Sequence, residues 1–311
     1  MLVSVVIPTY NRQHFIGTAI DSVLAQTYRD VEIIVVDDGS TDGTKEALRP
    51  YGKAIRYISQ RNQGCGAARN TGILSAKGEW VALLDSDDVW HPQKLESQLS
   101  AIEGIENVGL VGSPRAVVMP PNLPPHSAIR YLTVNDFLVS SPFGPSSALI
   151  FRKCFDKSGL FDVELKAIED RDMWLRLAVN FAVVLVESPC WIYRKHSVQM
   201  SLKPWSMYYN YKRVLNKFFV QHPAYITSRS AAWSHLYMDT AIALLENGER
   251  FASAYFLTKS YLRFPATVAG KPFLRTKQMI RLLLGESLFG YVTKLGKRLM
   301  RRASNNVQSG T

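Results

Sequence analysis

Asp85, Asp87 and Asp88 close the apolar run Trp80-Val81-Ala82-Leu83-Leu84, with Ser86 between the first two. A buried strand that ends in three carboxylates calls for a cation to offset them, and hard cations such as Mg²⁺ and Mn²⁺ take oxygen ligands. Side chains two apart in extended chain leave the same side, so Asp85 and Asp87 can share one ion while Asp88 points elsewhere. Mg²⁺ held by one or two carboxylates keeps positions for water and substrate phosphates, which predicts a diphosphate-bearing ligand. The competing reading is an acidic turn that caps a helix starting near His91-Pro92.

The elements that must position this turn follow the same plan. Val3 to Pro8 and Val31 to Val36 read as strands, the second too continuously apolar to face water. The first leads through Thr9-Tyr10-Asn11-Arg12 into a helix with Phe15, Ile16, Ala19, Ile20, Val23 and Leu24 on one face. The second ends in Asp37-Asp38-Gly39-Ser40-Thr41-Asp42-Gly43, where glycines supply the turn and a polar residue caps a helix to about Leu48. After a short strand from Ile55 to Ser59, Asn62 to Gly72 forms a glycine-rich entry into a helix of small residues. Strand-helix units with polar strand ends describe an open, doubly wound sheet whose ligand crevice lies at the carboxyl ends. Gly64-Cys65-Gly66 mimics a dinucleotide fingerprint, but position 69 is Arg and the segment follows the third strand, which argues against that fold.

Further strands are expected at Asn107–Gly112, Ser146–Phe151, Val183–Val186 and Cys190–Tyr193. Pro114 to Pro125, with five prolines, reads as a long loop of lid or acceptor-binding type. A helix from Ile168 to Ala178 turns Trp174, Leu175 and Ala178 inward and carries Asp170 in its first turn, as an N-cap or as a functional carboxylate. Trp80 and Trp174 read as core.

The chain has 311 residues and 47% hydrophobic content, enough for one large α/β domain and a smaller appendage. It has no apolar run of 18 residues and opens directly in a strand, so the expected location is cytoplasmic. Three cysteines without ligand spacing support neither a disulfide framework nor a zinc site. From residue 203 on there are 17 Lys and Arg against 4 Asp and Glu, a net +13; before it the count is 20 against 22. That asymmetry points to an anionic membrane surface rather than nucleic acid as partner, with peripheral binding at the inner face. The same stretch reads as helices over about 205–220, 228–246, 250–263 and 276–302, the middle pair resembling a tetratricopeptide hairpin. The last carries basic residues beside an apolar stripe, and 303–311 is expected to be disordered.

Seven pieces in order, Pro8 to Arg12, Val35 to Thr44, Asn62 to Gly72, Gly78-Glu79-Trp80, Leu84 to Asp88, Glu169-Asp170 with Trp174 to Leu177, and Arg194 to Ser201, resemble the inverting glycosyltransferases of family 2. The resemblance covers roughly residues 1–201 and implies a GT-A fold, a Rossmann-like mixed sheet with helices on both faces. A basic helical region, 202–302, and the tail would follow. It implies that Pro8, Thr9, Asn11, Asp37, Asp38, Arg69, Asp85 and Ser86 bind the donor, with Asp38 accepting the imide N–H of a uracil or thymine ring. It also implies that Asp85 and Asp87 hold Mn²⁺ or Mg²⁺, Asp87 the more directly, and that Asp170 is the general base. His196 is either a third metal or diphosphate contact or an ordinary loop histidine. The implied partners are a nucleotide-diphosphate sugar, UDP-linked first, and a glycan or lipid-linked acceptor. Arg171, after Asp170, departs from the usual pattern and leaves the acceptor preference open. Two other classes compete. A non-catalytic nucleotide-sugar-binding scaffold at the membrane would show a broken metal or base motif, and none is broken. A nucleotidyltransferase would show a glycine-rich basic loop after the first strand, where Pro8 to Arg12 has no glycine.

Overall fold

The computed structural model describes residues 1–124, 127–194 and 203–263. They fall into two units, Met1–Ile226 and the residues from Thr227 on. In the first, eight strands form one mixed sheet: β1 (Val3–Thr9), β2 (Val31–Asp37), β3 (Arg56–Ser59), β4 (Trp80–Leu83), β6 (Val108–Gly112), β7 (Ile129–Leu132), β8 (Leu149–Phe151) and β9 (Ala182–Val186), in the order β3-β2-β1-β4-β8-β6-β9-β7. The strands β3, β2, β1 and β4 are mutually parallel, β8 runs antiparallel to both its neighbours, and β7 pairs antiparallel at the edge. A separate ribbon joins β5 (Val89–Trp90) to β10 (Trp191–Ile192).

All seven residues of β1 are buried because both faces of the sheet are covered. Val5, Ile7 and Val35 share a core with Ile16, Ala19 and Ile20 of helix α1 (Ile16–Leu24). On the other face, Ile34 and Val36 pack against Ala68 of α3 (Cys65–Ser75). The alternation of the pleat thus hands successive side chains to different helices. Helix α3 lies so close to β1 that a Cβ on Gly72 would stand 2.3 Å from Val6 Cγ1 and 3.2 Å from its Cβ. No rotation of Val6 removes a clash that includes its own Cβ. Gly72→Ala is expected to lower stability by about 1–3 kcal/mol through overpacking, read as a lower denaturant midpoint with unchanged slope.

Most expected strands recur within a residue or two, and the differences have local causes. Ser146 and Ser147 lie in a 3₁₀ turn, Pro145–Ser147, because Pro145 opens it and Ser147 Oγ donates to Gly144 O at 3.1 Å; the strand starts at Leu149. The helix expected near His91 starts later, as α4 (Lys94–Ser100), after α2 (Thr44–Leu48) and the β5 ribbon. Edge strand β7 and the short α5 (Val134–Val139) were not anticipated after the proline-rich loop; a capping box of Thr133 and Asp136 starts α5. The helix α6 (Cys154–Ser158) follows β8, and α7 (Glu169–Asn180) buries Met173, Trp174, Leu175 and Leu177, with Ala178 only half-buried. Trp80 and Trp174 are core residues.

The first unit does not stop at 201. It runs to Ile226 and includes α8 (Pro204–Gln221), which buries Tyr211, Val214, Leu215 and Phe218 and whose Tyr211 hydroxyl donates to Leu138 O at 2.9 Å. In the second unit, α9 (Arg229–Glu246) and α10 (Arg250–Arg263) form a hairpin turned at Gly248, where φ is +82°. Reciprocal bonds tie it: Ser234 Oγ donates to Ser260 O and Ser260 Oγ to Ser234 O. The helix expected over 276–302 and the tail 303–311 lie outside the described residues. Among the described residues no helix is long and apolar enough to cross a membrane.

Candidate functional site

Because β1, β2, β3 and β4 are parallel, their carboxyl ends meet at one edge, and the polar residues after each strand converge there. Asn11 binds the first loop to the second: its backbone takes the left-handed region (φ +52°), its N–H donates to Ser40 Oγ at 2.9 Å, and its Oδ1 accepts from Thr41 N at 2.8 Å. Arg12 N–H donates to Thr44 Oγ1 at 2.9 Å and Arg12 Nε reaches Asp87 Oδ2 at 3.3 Å. Thr9 Oγ1 is buried without a hydrogen-bond partner among the described residues, an orphan donor at the mouth of the crevice. Pro8 is buried opposite Val36 and offers no polar group, and Ser86 is buried between the two aspartates.

Asp37 and Asp38 are both buried, and both support the loops. Asp37 accepts from Ser40 N and Tyr57 Oη, each at 2.9 Å. Asp38 Oδ1 accepts from Gln60 Nε2 at 2.7 Å and Gln63 N at 2.9 Å, and Oδ2 from Gly64 N at 2.8 Å. A carboxylate has about four lone-pair sites, so three protein donors leave one for a ligand. Gln60, absent from the residues read in the sequence, also accepts from Thr71 Oγ1 at 2.6 Å and so ties this carboxylate to α3.

The acidic turn is held from three sides. Asp85 Oδ1 accepts from Arg69 Nη2 at 2.7 Å; Asp85 N–H donates to Ser146 Oγ at 3.1 Å; and Ser146 Oγ donates to Asp88 Oδ2. Asp88, the carboxylate that points elsewhere, also accepts from Arg194 N at 3.2 Å, while Arg194 Nε donates to Asp87 O at 2.5 Å. Burial raises the Asp85 carboxyl, with Asp87 adding to it and Arg69 opposing. Burial, then Asp85, push Asp88 up to about 8. Negative charge is therefore crowded here beyond what Arg69 offsets, which is the environment a cation relieves.

Arg69, 2% exposed, does more than face a ligand. Its Nη1 donates to Glu169 Oε1 at 2.5 Å, 100 residues away in sequence, so one guanidinium bridges the turn after β4 and the first turn of α7. Asp170 follows Glu169. It is not the N-cap; that position is Ile168, in the left-handed region with φ +65°, a costly place for a β-branched residue. Asp170 remains partly accessible, and burial, then the Glu169 charge, push its carboxyl up to about 6, against Arg69. Glu169 belongs to a motif that gives it no role of its own; the signal that singles it out is that a buried guanidinium has five N–H donors to satisfy, more than one carboxylate accepts.

Asp85 and Asp87, paired with Arg69 and Arg12, are two carboxylates of the oxygen type that a divalent cation takes, and they would leave the rest of its shell to water and phosphate. Among the described residues no group of three or more His, Cys, Asp or Glu is arranged to hold a metal by itself. His196 lies outside the described residues.

Residues 4–158 match the profile of the Glycosyl transferase family 2 domain. The chain is 38% identical over 186 residues to an uncharacterized glycosyltransferase of Rickettsia prowazekii, covering 56% of this chain and 58% of that protein. It spans 31% to 58% of the length of such rickettsial relatives. Among solved structures, S. aureus TarS 1–349 in complex with UDP-GlcNAc superposes with a TM-score of 0.58 at 19% identity, over 85% of this chain and 89% of that one. The mannosyltransferase PcManGT of Pyrobaculum calidifontis, in complex with GDP-Man and Mn²⁺, gives 0.61 at 19% identity, over 99% and 88%. At these identities the two structures establish the GT-A fold.

Proposed function

Residues 4–158 belong to glycosyl transferase family 2, and on that premise we propose that the chain transfers a sugar from a nucleotide-diphosphate donor, UDP-linked, to a hydroxyl of a glycan or lipid-linked acceptor, inverting the anomeric centre. The observation that supports this reading is the Asp85–Arg69–Glu169 bridge, which ties the acidic turn after β4 to the helix start that carries Asp170. The acceptor hydroxyl loses its proton to Asp170 as its oxygen bonds to the anomeric carbon, and the carbon–oxygen bond to the diphosphate breaks from the opposite face. The nucleoside diphosphate leaves, and no covalent intermediate forms on the protein.

Asp85 and Asp87 are the residues that would hold Mn²⁺ or Mg²⁺, with His196 as a further candidate. When bound, such an ion neutralises the charge developing on the leaving diphosphate. Thr9, Asn11 and Asp38 frame the nucleotide pocket, with the orphan hydroxyl of Thr9 and the remaining lone pair of Asp38 as polar contacts. With one lone pair left, Asp38 suits the single imide N–H of uracil better than the two adjacent N–H donors of guanine, which is why UDP ranks before GDP although the two similar structures carry one of each. Peripheral attachment to an anionic membrane rests on the net +13 after residue 203.

The test is the melting temperature against a panel of nucleoside diphosphates and their sugars, with and without Mn²⁺. UDP at about 100 times its dissociation constant should add about 2.7 kcal/mol of stability, only when Mn²⁺ is present. A shift with GDP alone would reassign the donor; none with any nucleotide would favour the scaffold reading.

A further inference from the structure

The positive charge of the carboxyl-terminal third has a use that the donor site does not absorb. Helix α8 carries Lys212, Arg213 and Lys217 and no carboxylate. Along its outer face Tyr209, Lys212, Arg213, Asn216 and Lys217 line a hollow of about 450 Å³ that is wide open to solvent, suited to an extended chain lying across the surface and not to an enclosed small ligand. Lys217 is neutralised by Asp162 at 2.9 Å and Asp172 at 3.1 Å. Arg213 Nη1 donates to the Glu164 carbonyl at 3.3 Å, and among the described residues neither Lys212 nor Arg213 is within ion-pair distance of a carboxylate. Tyr209 is 60% exposed and stacks on Trp205, ring centroids 6.3 Å apart at 29°. The hollow therefore combines an aromatic face with two exposed cations, Lys212 and Arg213, that make no ion pair among the described residues, although Arg213 acts on the Asp162 carboxyl at longer range and helps hold it below the usual carboxylate range.

Its position connects it to the reaction. The helix runs alongside the segment that leads into Asp170: Asn210 Oδ1 accepts from Lys166 N at 3.1 Å, and the Arg171 guanidinium lies 4.2 Å above the Tyr211 ring. Tyr209 is thus adjacent in sequence to the residue that contacts this approach. We infer that the outer face of α8 is a subsite for an anionic glycan acceptor, a chain whose sugar or polyol units carry phosphate or carboxylate groups; the role as acceptor subsite rests on the transferase reading above. Arg213 and Lys212 pair with the anions, and Tyr209 packs against the apolar face of a ring. This also gives the departure at Arg171 a part: it is committed to holding α8 in place through Tyr211.

The experiment measures binding by the full chain of oligogalacturonate, of inorganic polyphosphate and of uncharged dextran of matched length, by fluorescence titration at several salt concentrations. Wild-type protein should bind the two polyanions and not dextran. The exposed pair Lys212→Glu/Arg213→Glu should weaken that binding at least tenfold and flatten its salt dependence, while the UDP and Mn²⁺ melting shift stays unchanged. Tyr209→Ala should weaken oligogalacturonate more than polyphosphate, which has no ring to stack. Equal polyanion binding by wild type and the double variant overturns the subsite and leaves the donor reading intact. Polyanion binding without any nucleotide-dependent melting shift overturns the acceptor role together with the transferase reading. Binding to phosphatidylglycerol vesicles but to neither soluble polyanion assigns the face to a membrane and overturns the glycan.

Discussion

Asp170→Asn should lower the turnover number for sugar transfer by about 10²- to 10⁴-fold, the range a positioned general base contributes, while the melting shift with UDP and Mn²⁺ persists. The wild-type carboxyl, pushed up to about 6 by burial and by Glu169, sets the pH dependence. A base must be ionised to accept the proton, so activity should be full above pH 7, half-maximal near 6 and fall tenfold per unit below that. The stability argument has the opposite sign. A folded-state pKa above the unfolded value of about 4 means that the fold favours the protonated form, so this group's contribution is present below pH 4 and lost as pH rises through 6. At neutral pH the ionised carboxylate is a burden, and the Asn variant should melt higher than wild type while transferring far less sugar. Undiminished transfer by Asp170→Asn would remove the base assignment.

Arg69→Ala should produce the largest loss of stability in the molecule, about 3–5 kcal/mol, measured by the denaturant midpoint at neutral pH. The cost arises less from the lost bonds than from what stays behind. Glu169 would face the core without a counter-charge, Asp85 would lose its partner, and the crowding that already drives Asp88 up to about 8 would intensify. Because carboxyl groups then hold protons more tightly in the fold, much of the loss should be recovered on lowering the pH to 5. Arg69→Lys keeps one charge but cannot span two carboxylates in fork geometry; it should retain more stability than Ala yet bind UDP and Mn²⁺ more weakly than wild type. An unchanged midpoint in Arg69→Ala would mean that the two carboxylates tolerate burial alone, and the bridge would lose its role.

How much of this was legible depended on the range of the interaction. The parallel half of the sheet could be read because Val3 to Ile7, Val31 to Val36 and Trp80 to Leu84 are largely apolar runs, interrupted only by Ser4 and Glu32, that soon give way to polar residues, a pattern local to each strand. The close approach of α3 was legible in its small residues, with Gly72 as the position that required it. The order of strands beyond β4 was not, since the antiparallel insertion of β8 is set by which runs meet, and nothing in Leu149-Ile150-Phe151 states a partner. In the site, Asp85 and Asp87 stood out by type and spacing, and Asp170 through the family resemblance. Their supports did not: Gln60 on Asp38, Ser146 between Asp85 and Asp88, and Glu169 on Arg69 are pairings across tens of residues. The first unit groups α8 with the sheet, past the expected boundary at 201, because the apolar face of that helix is buried there, a long-range contact that its composition does not state.

Ile168 has a consequence for anyone who would engineer this protein. A branched side chain held at φ +65° raises the energy of the folded chain at one residue by about 1–3 kcal/mol, and that residue sets the angle at which Glu169 and Asp170 enter their helix. A laboratory selection for heat tolerance should therefore return Ile168→Asn or Ile168→Gly early, since both accept that backbone at less cost. Because Asn and Gly take the same backbone angle, the entry of Glu169 and Asp170 into the helix should be kept in such variants, and heat tolerance should rise without loss of transfer.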